Sequence, residues 1–177
     1  MNAQQRNWVT GLKKRLPEHF RGKKVLEIGS VDINGNLRDL FKKCDYTGID
    51  VKPGKGVDVV CIAHKFKTPK ESFNVIYYTS QLEHDMYYKK TLKKMVELLK
   101  PGGLMFFLAP SLWFPHGITN YKPDDSLTTQ MGNKWANYYH NITPMDIVKN
   151  IDLNKVFLEW EMRLDSGMDI AFWGLKR

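Results

Sequence analysis

Cysteine is scarce: Cys44 and Cys61 are the only two. Neither stands in a metal-ligand spacing, so a disulfide scaffold and a thiolate metal centre are both excluded, and no metal is expected. Both read as small buried hydrophobes in a reducing compartment. No apolar run approaches the roughly 18 residues of a membrane span. The N-terminal Met1-Asn2-Ala3-Gln4-Gln5-Arg6-Asn7-Trp8 leads into no apolar signal region. A cytoplasmic protein without a membrane partner is expected, in which the Asn141-Ile142-Thr143 sequon is incidental. Linkers, repeats and low-complexity tracts are also missing, so residues 1–177 read as a single domain. With 42% hydrophobic and 26% charged residues the chain has the composition of an ordinary globular protein with a proper core.

What is present begins with Val25-Leu26-Glu27-Ile28-Gly29-Ser30-Val31-Asp32-Ile33-Asn34-Gly35-Asn36. An apolar run ends in an acid and a glycine, and a small polar loop follows, as at the carboxyl end of the first strand of an α/β nucleotide site. A second run, Tyr46-Thr47-Gly48-Ile49, ends in Asp50, placed to accept hydrogen bonds from ribose hydroxyls. The dinucleotide fingerprint G-x-G-x-x-G is absent. Gly29 is followed by Ser30-Val31, and Val31 stands where a pyrophosphate needs close backbone approach. The pocket therefore suits a nucleoside cofactor without a diphosphate. A nicotinamide-dependent oxidoreductase shares the strand–acid spacing but needs that second glycine and a catalytic domain for which the chain has no room.

Periodicity places the remaining elements. A helix is expected near 3–15, with Trp8, Leu12 and Leu16 on one face and Pro17 as its stop. Strands are expected at 23–28, 46–50, 57–62, 73–79 and 103–109, and helices at 35–43 (Leu37, Leu40 and Phe41 inward) and 85–99. Val51-Lys52-Pro53-Gly54-Lys55-Gly56 is too short and too rich in Gly and Pro for a helix. Thr143-Pro144-Met145-Asp146 reads as a capped helix start. Lys155–Asp165 and Met168–Leu175 read as an antiparallel hairpin joined by Ser166-Gly167. Leu92, Val96 and Leu99 make an apolar stripe, so Lys89, Lys90, Lys93, Lys94 and Lys100 fall on a solvated face.

Phe73-Asn74-Val75-Ile76-Tyr77-Tyr78-Thr79-Ser80-Gln81-Leu82-Glu83-His84 and Leu99-Lys100-Pro101-Gly102-Gly103-Leu104-Met105-Phe106-Phe107 complete a pattern. With its E-x-G loop, the acid ending the second strand, "LEH" after the fourth and "LKPGG" before the fifth, the chain resembles the class I S-adenosylmethionine-dependent methyltransferases, in particular the methyltransferase type 11 group. The four motifs stand in order over 23–110, and the capped helix and terminal strand extend the likeness. The resemblance implies an α/β, Rossmann-like fold: a mostly parallel sheet with one antiparallel strand near the edge and helices on both faces.

It also implies site residues. Glu27 organises the glycine loop and the amino end of the methionine, Gly29 and Ser30 offer backbone contacts to the methionine portion, Asp50 takes the ribose hydroxyls, and Val51 lies against the adenine. Ile62, Ala63 and His64 stand where relatives often place an acid toward the adenine amino group, so Ile62 departs from the pattern. Ser80, Gln81 and Leu82 face the methyl group. His84 is the best candidate for a general base, against the alternative that Glu83-His84 merely caps the next helix; His116 and His140 are weaker candidates. The segment 110–142, rich in aromatics and without periodicity, reads as an acceptor lid or as packed core.

The expected function is methylation of oxygen or nitrogen on a small molecule or glycan precursor. The net charge of +8 keeps open a nucleic-acid methyltransferase or nucleic-acid-binding protein. An Asn-Pro-Pro-Tyr-like turn, with which base-methylating enzymes grip their target, is missing after the fourth strand. The excess at Lys13-Lys14-Arg15, Arg21, Lys23 and Lys24 is expected to flank the cofactor mouth; the leading reading is a plain solvated surface, with attraction of an anionic acceptor as the alternative.

Overall fold

The structure, a computed structural model, describes residues 2–164 and 169–177. One sheet holds β1 (Lys24–Ile28), β2 (Asp45–Asp50), β3 (Val59–Val60), β4 (Phe73–Thr79), β5 (Leu99–Pro110), β6 (Phe157–Leu164) and β7 (Asp169–Lys176). Its order is β3-β2-β1-β4-β5-β7-β6. β1 to β5 run parallel, and β7 is antiparallel to both β5 and β6. The strand order reverses between β1 and β4, and in open α/β sheets ligands bind at such a switch point, beyond the carboxyl ends of the strands.

Helices α1 (Ala3–Arg15), α2 (Tyr88–Leu98), α3 (Asn133–Ala136), α4 (Pro144–Val148) and α5 (Leu153–Val156) accompany the sheet. Side chains alternate across each strand. Val25, Val75, Leu104, Phe106 and Trp173 pack with Val9 and Leu12 of α1 on one face. Leu26, Ile76, Met105, Phe107 and Phe172 pack with Leu92 and Met95 of α2, Ile147 of α4 and Leu153 of α5 on the other. Lys89, Lys90 and Lys93 lie exposed on the far side of α2, as its apolar stripe requires. Thr143 forms a capping box with Asp146 at the start of α4.

Several expectations need correction. No helix spans 35–43: a single 3-10 turn, Arg38–Leu40, stands there. Gly35 lies at φ +90°, and the Asp32 carboxylate accepts from Gly35 N at 2.9 Å and Asn36 Nδ2 at 2.9 Å. This local turn competes with helix formation. Leu37 and Phe41 are buried all the same, so their helix-like spacing is satisfied by one tight turn. β3 shrinks to Val59–Val60, and β5 begins early, where Leu99 pairs with Phe73. Glu83-His84 does not cap α2; Asp85 accepts from Tyr87 N at 2.8 Å instead. Cys44 and Cys61 are free but only half-buried. The expected Ser166-Gly167 link lies outside the described residues, although β6 and β7 pair antiparallel as that hairpin requires.

Candidate active site

Gly29 closes β1 at the switch point. It lies at φ +69°, and a Cβ there would sit 2.9 Å from Gln81 Cβ and 2.9 Å from Tyr78 Cε2. Only glycine lets the loop after β1 pass so close to the end of β4. Gly29 N and Ser30 N both donate to Ile49 O, at 2.9 and 3.1 Å. Val31 N then donates to Asp50 Oδ2 at 3.0 Å, and Val51 N to Asp50 Oδ1 at 2.7 Å. The loop is thereby fixed to the tip of β2. Burial raises the pKa of Asp50 and the two amides oppose it. Each carboxylate oxygen keeps a lone pair for a further donor.

Glu27 lies beneath this loop, buried. Its Oε2 accepts from Tyr46 Oη at 2.9 Å and from Arg38 Nε at 3.3 Å, and Arg38 also reaches Asp58 at 3.5 Å. Burial raises the carboxyl pKa, opposed by Tyr77, Tyr46 and Arg38. One glutamate thus ties the first strand to the Arg38 turn and to β2.

Two hollows meet at Gly29 and Gln81. The larger, of about 340 Å³, is walled by Glu27, Ser80, Glu83 and Asp169 and reached by Asn2 and Gln5 of the first helix and its cap. A smaller cleft of about 20 Å³ is lined by Asp50, Val51, Ile62 and Ala63. Of the expected residues, Ser30, Leu82, His64 and His84 line neither hollow. Ser30 and Leu82 are buried, and His64 packs on Tyr87 with ring centroids 4.7 Å apart. The glycine cradle and the buried acid at the tip of β2 suit a nucleoside-bearing cofactor.

Ser80 takes a left-handed φ of 55° where β4 ends, a strained conformation of the kind found at functional sites. It turns the chain into Leu82–His84, so that Glu83 faces the larger cavity while His84 stands behind it. Burial pushes the Glu83 carboxyl up to about 8, with Asp169 adding to the effect. Burial likewise pulls His84 down to about 4, with His116 adding and the Tyr138 backbone opposing. His84 is therefore neutral at pH 7, and a value so low makes it a weak base.

Sequence reasoning missed Asn2, Gln5, Asp125 and Asp169, which come to the cavity from distant segments. Asn2 and Gln5 carried one local signal, the N-x-x-Q spacing of a capping box, which is formed. The segment 110–142 serves both hollows: Trp113, His116 and Asp125 reach the cavity, Thr128 and Trp135 the cleft. The basic cluster does not flank the cofactor mouth. Lys24 opens β1 and Arg15 ends α1, whereas the cavity gathers the carboxyl end of β1 and the amino end of α1. In a parallel sheet these are opposite poles.

No curated protein matches the chain by sequence. Among solved structures it is similar to the Burkholderia thailandensis 1,6-didemethyltoxoflavin-N1-methyltransferase with bound 1,6-didemethyltoxoflavin and S-adenosylhomocysteine, at 14% identity and a TM-score of 0.66, over 98% of this chain and 78% of that one. A SAM dependent methyltransferase from Aquifex aeolicus aligns at 13% identity and a TM-score of 0.58, covering 93% and 89%. The Haemonchus contortus phospholethanolamine N-methyltransferase 2, in complex with phosphomonomethylethanolamine and S-adenosylhomocysteine, aligns at 18% identity and a TM-score of 0.60, covering 89% of this chain and 38% of that one. These likenesses establish the fold. A methyltransferase domain family matches residues 1–171, nearly the whole chain, and the chain belongs to that family.

Proposed function

We propose that the chain, as one domain, moves a methyl group from S-adenosylmethionine to an oxygen or nitrogen of a small polar molecule, a glycan precursor being one such acceptor. The observation that carries this reading is the wall of the larger cavity. Glu27, Glu83, Asp125 and Asp169 line it, and among the described residues no Lys or Arg does. Burial keeps Glu83 protonated at neutral pH and Glu27 is paired with Arg38, so the wall's charge is that of Asp125 and Asp169, with none of the described Lys or Arg residues lining it to offset them. This suits a neutral or cationic acceptor better than a nucleic-acid backbone. The Burkholderia and Haemonchus enzymes also hold small molecules beside their cofactor product, in agreement with an acceptor of that scale.

Asp50 would hold the ribose hydroxyls, with Val51, Ile62 and Ala63 against the adenine, while His64 packs on Tyr87 outside the cleft. Glu27, Gly29, Ser80 and Gln81 would hold the methionine portion, with Leu82 and Ser30 packed beneath, the Ser30 amide being already bonded to Ile49 O. When bound, the cofactor supplies an electrophilic methyl on a sulfonium, displaced in line. The chain's own contribution is alignment by Ser80 and Gln81, hydrogen bonding of the acceptor by the carboxylate wall, and exclusion of water by the 110–142 segment as a lid. Burial holds His84 well below the usual imidazole range, and it lies off the cavity lining, so it is a weak base standing beside Glu83 and His116 rather than against the acceptor. The cytoplasm suits the two free cysteines, and no helix among the described residues is long and apolar enough to cross a membrane.

Calorimetric titration tests the cofactor, and a radiolabelled-methyl assay on hydroxylated and amino small molecules tests the acceptor. S-adenosylhomocysteine is expected to bind and NAD not to bind; comparable NAD affinity would overturn the assignment. Methylation of oligonucleotides but of no small molecule would transfer the function to the nucleic-acid class.

A further inference from the structure

Behind the carboxylate wall, Glu83, His84 and His116 bring one ligand atom each within 4.8 Å of the others. Glu83 Oε1 lies 3.8 Å from His84 Nε2. Glu83 is 1% exposed, yet its Oε2 has no hydrogen-bond partner. A buried carboxylate oxygen left in that state is costly unless something of opposite charge meets it.

The histidines are prepared in a matching way. His116 Nδ1 lies 3.2 Å from Phe114 O. A carbonyl only accepts, so Nδ1 carries the proton and Nε2 presents its lone pair. Metal-binding histidines are commonly oriented by such a bond from the other ring nitrogen. Next to it, Gly117 lies at φ +60°, and a Cβ there would stand 2.8 Å from His84 Cε1 and 2.9 Å from His84 Nε2. Only glycine lets this segment lie so close to the His84 ring, and the two imidazoles meet nearly perpendicular at 5.9 Å between centroids. The Tyr139 ring packs against both, at 5.4 and 5.3 Å.

We propose that Glu83, His84 and His116 bind one divalent transition-metal ion, which fastens the segment after β5 to the turn after β4 and offers open coordination positions to the acceptor's heteroatom. Two imidazoles and a carboxylate suit Zn²⁺, Co²⁺, Fe²⁺ or Mn²⁺ better than Ca²⁺ or Mg²⁺, which prefer an all-oxygen shell. Bonds of ~2.0–2.2 Å would draw the three donors to roughly 3–3.6 Å apart, a shift of about 1 Å that His116 can make on its loop. Because Glu83 and His116 line the cavity, the open positions face the acceptor. That last role rests on the methyl-transfer reading; the metal site itself does not.

The test is titration of the full chain, freed of metal, with Co²⁺ followed by visible absorption, with Zn²⁺ and Mn²⁺ as competitors and S-adenosylhomocysteine titrated separately. One Co²⁺ per chain is expected, with a saturable ligand-field spectrum. His116→Ala, on a half-buried loop, should weaken it by at least ~10-fold. Glu83→Gln should do the same, and Zn²⁺ should raise the melting temperature of the wild type but not of His116→Ala. Absence of saturable binding, or binding unchanged in His116→Ala, would overturn the site. Metal binding together with failure to bind S-adenosylhomocysteine would leave the site standing and remove the methyl-transfer reading alone.

Discussion

Gln5 Nε2 donates to Asp169 Oδ2 at 2.7 Å, joining the first helix to the last strand across 164 positions of sequence. The same side chain accepts from Ser80 Oγ at 2.8 Å. One buried amide therefore clamps the amino end of α1, the end of β4 and the start of β7 around the mouth of the larger cavity.

Gln5→Ala should be destabilising, because a hydrogen bond to a charged group contributes roughly 1.5–3 kcal/mol. In a domain of this size that lowers the melting temperature by several degrees. Differential scanning calorimetry reads the shift. An unchanged melting temperature would show that the clamp contributes nothing to folding.

Asp50→Ala should leave the fold intact and weaken S-adenosylhomocysteine binding by about one to two powers of ten, the range for losing a charged acceptor of hydroxyl hydrogen bonds. The loss of the Val31 and Val51 contacts to that carboxylate loosens the glycine loop as well. Isothermal titration of a variant with native circular dichroism decides it; undiminished affinity would remove the ribose role.

Trp113 is 41% exposed at the cavity rim, so its removal is not expected to disturb the core. Trp113→Ala should keep cofactor affinity within a few-fold while turnover of an identified acceptor falls more, since alignment and water exclusion suffer. Equal losses in both would place Trp113 in the cofactor's own binding surface.

Asp146 predicts an acid limb. Burial alone would raise its pKa, but Tyr88, the backbone and side chain of Thr143, and His140 bond to the carboxylate and hold it at about 2. A depressed folded-state value contributes stability that is complete above the unfolded value near ~3.9 and lost as pH falls toward about 2. In urea unfolding, the wild type should therefore exceed Asp146→Asn in stability at pH 7, and this gap should shrink between pH 4 and pH 2. A gap constant over that window would contradict the assignment.

Much of the fold was legible because its signals are local. β1, β4 and β5 announce themselves as apolar runs, the Thr143 capping box needs only four residues, and the Glu27–Gly29 and Asp50 strand ends follow directly from strand placement. The 35–43 segment misled because Leu37 and Phe41 have helical spacing, and burial alone cannot tell a helix from a single tight turn. The Asp32–Gly35 turn decided that, through hydrogen bonds no periodicity reports.

What the sequence by itself determined is the α/β class and the first two strand ends, closed by Gly29 and Asp50, since each depends on residues a few positions apart. Only the tertiary structure decided the cavity wall and the Glu83–His84–His116 cluster. Antiparallel pairing of β7 sets Asp169 opposite Pro110, at the pole where the parallel strands end. The φ of Gly117 lets a distant loop lay His116 beside His84. Such convergence depends on strand order and direction, which side-chain patterning along one segment does not encode.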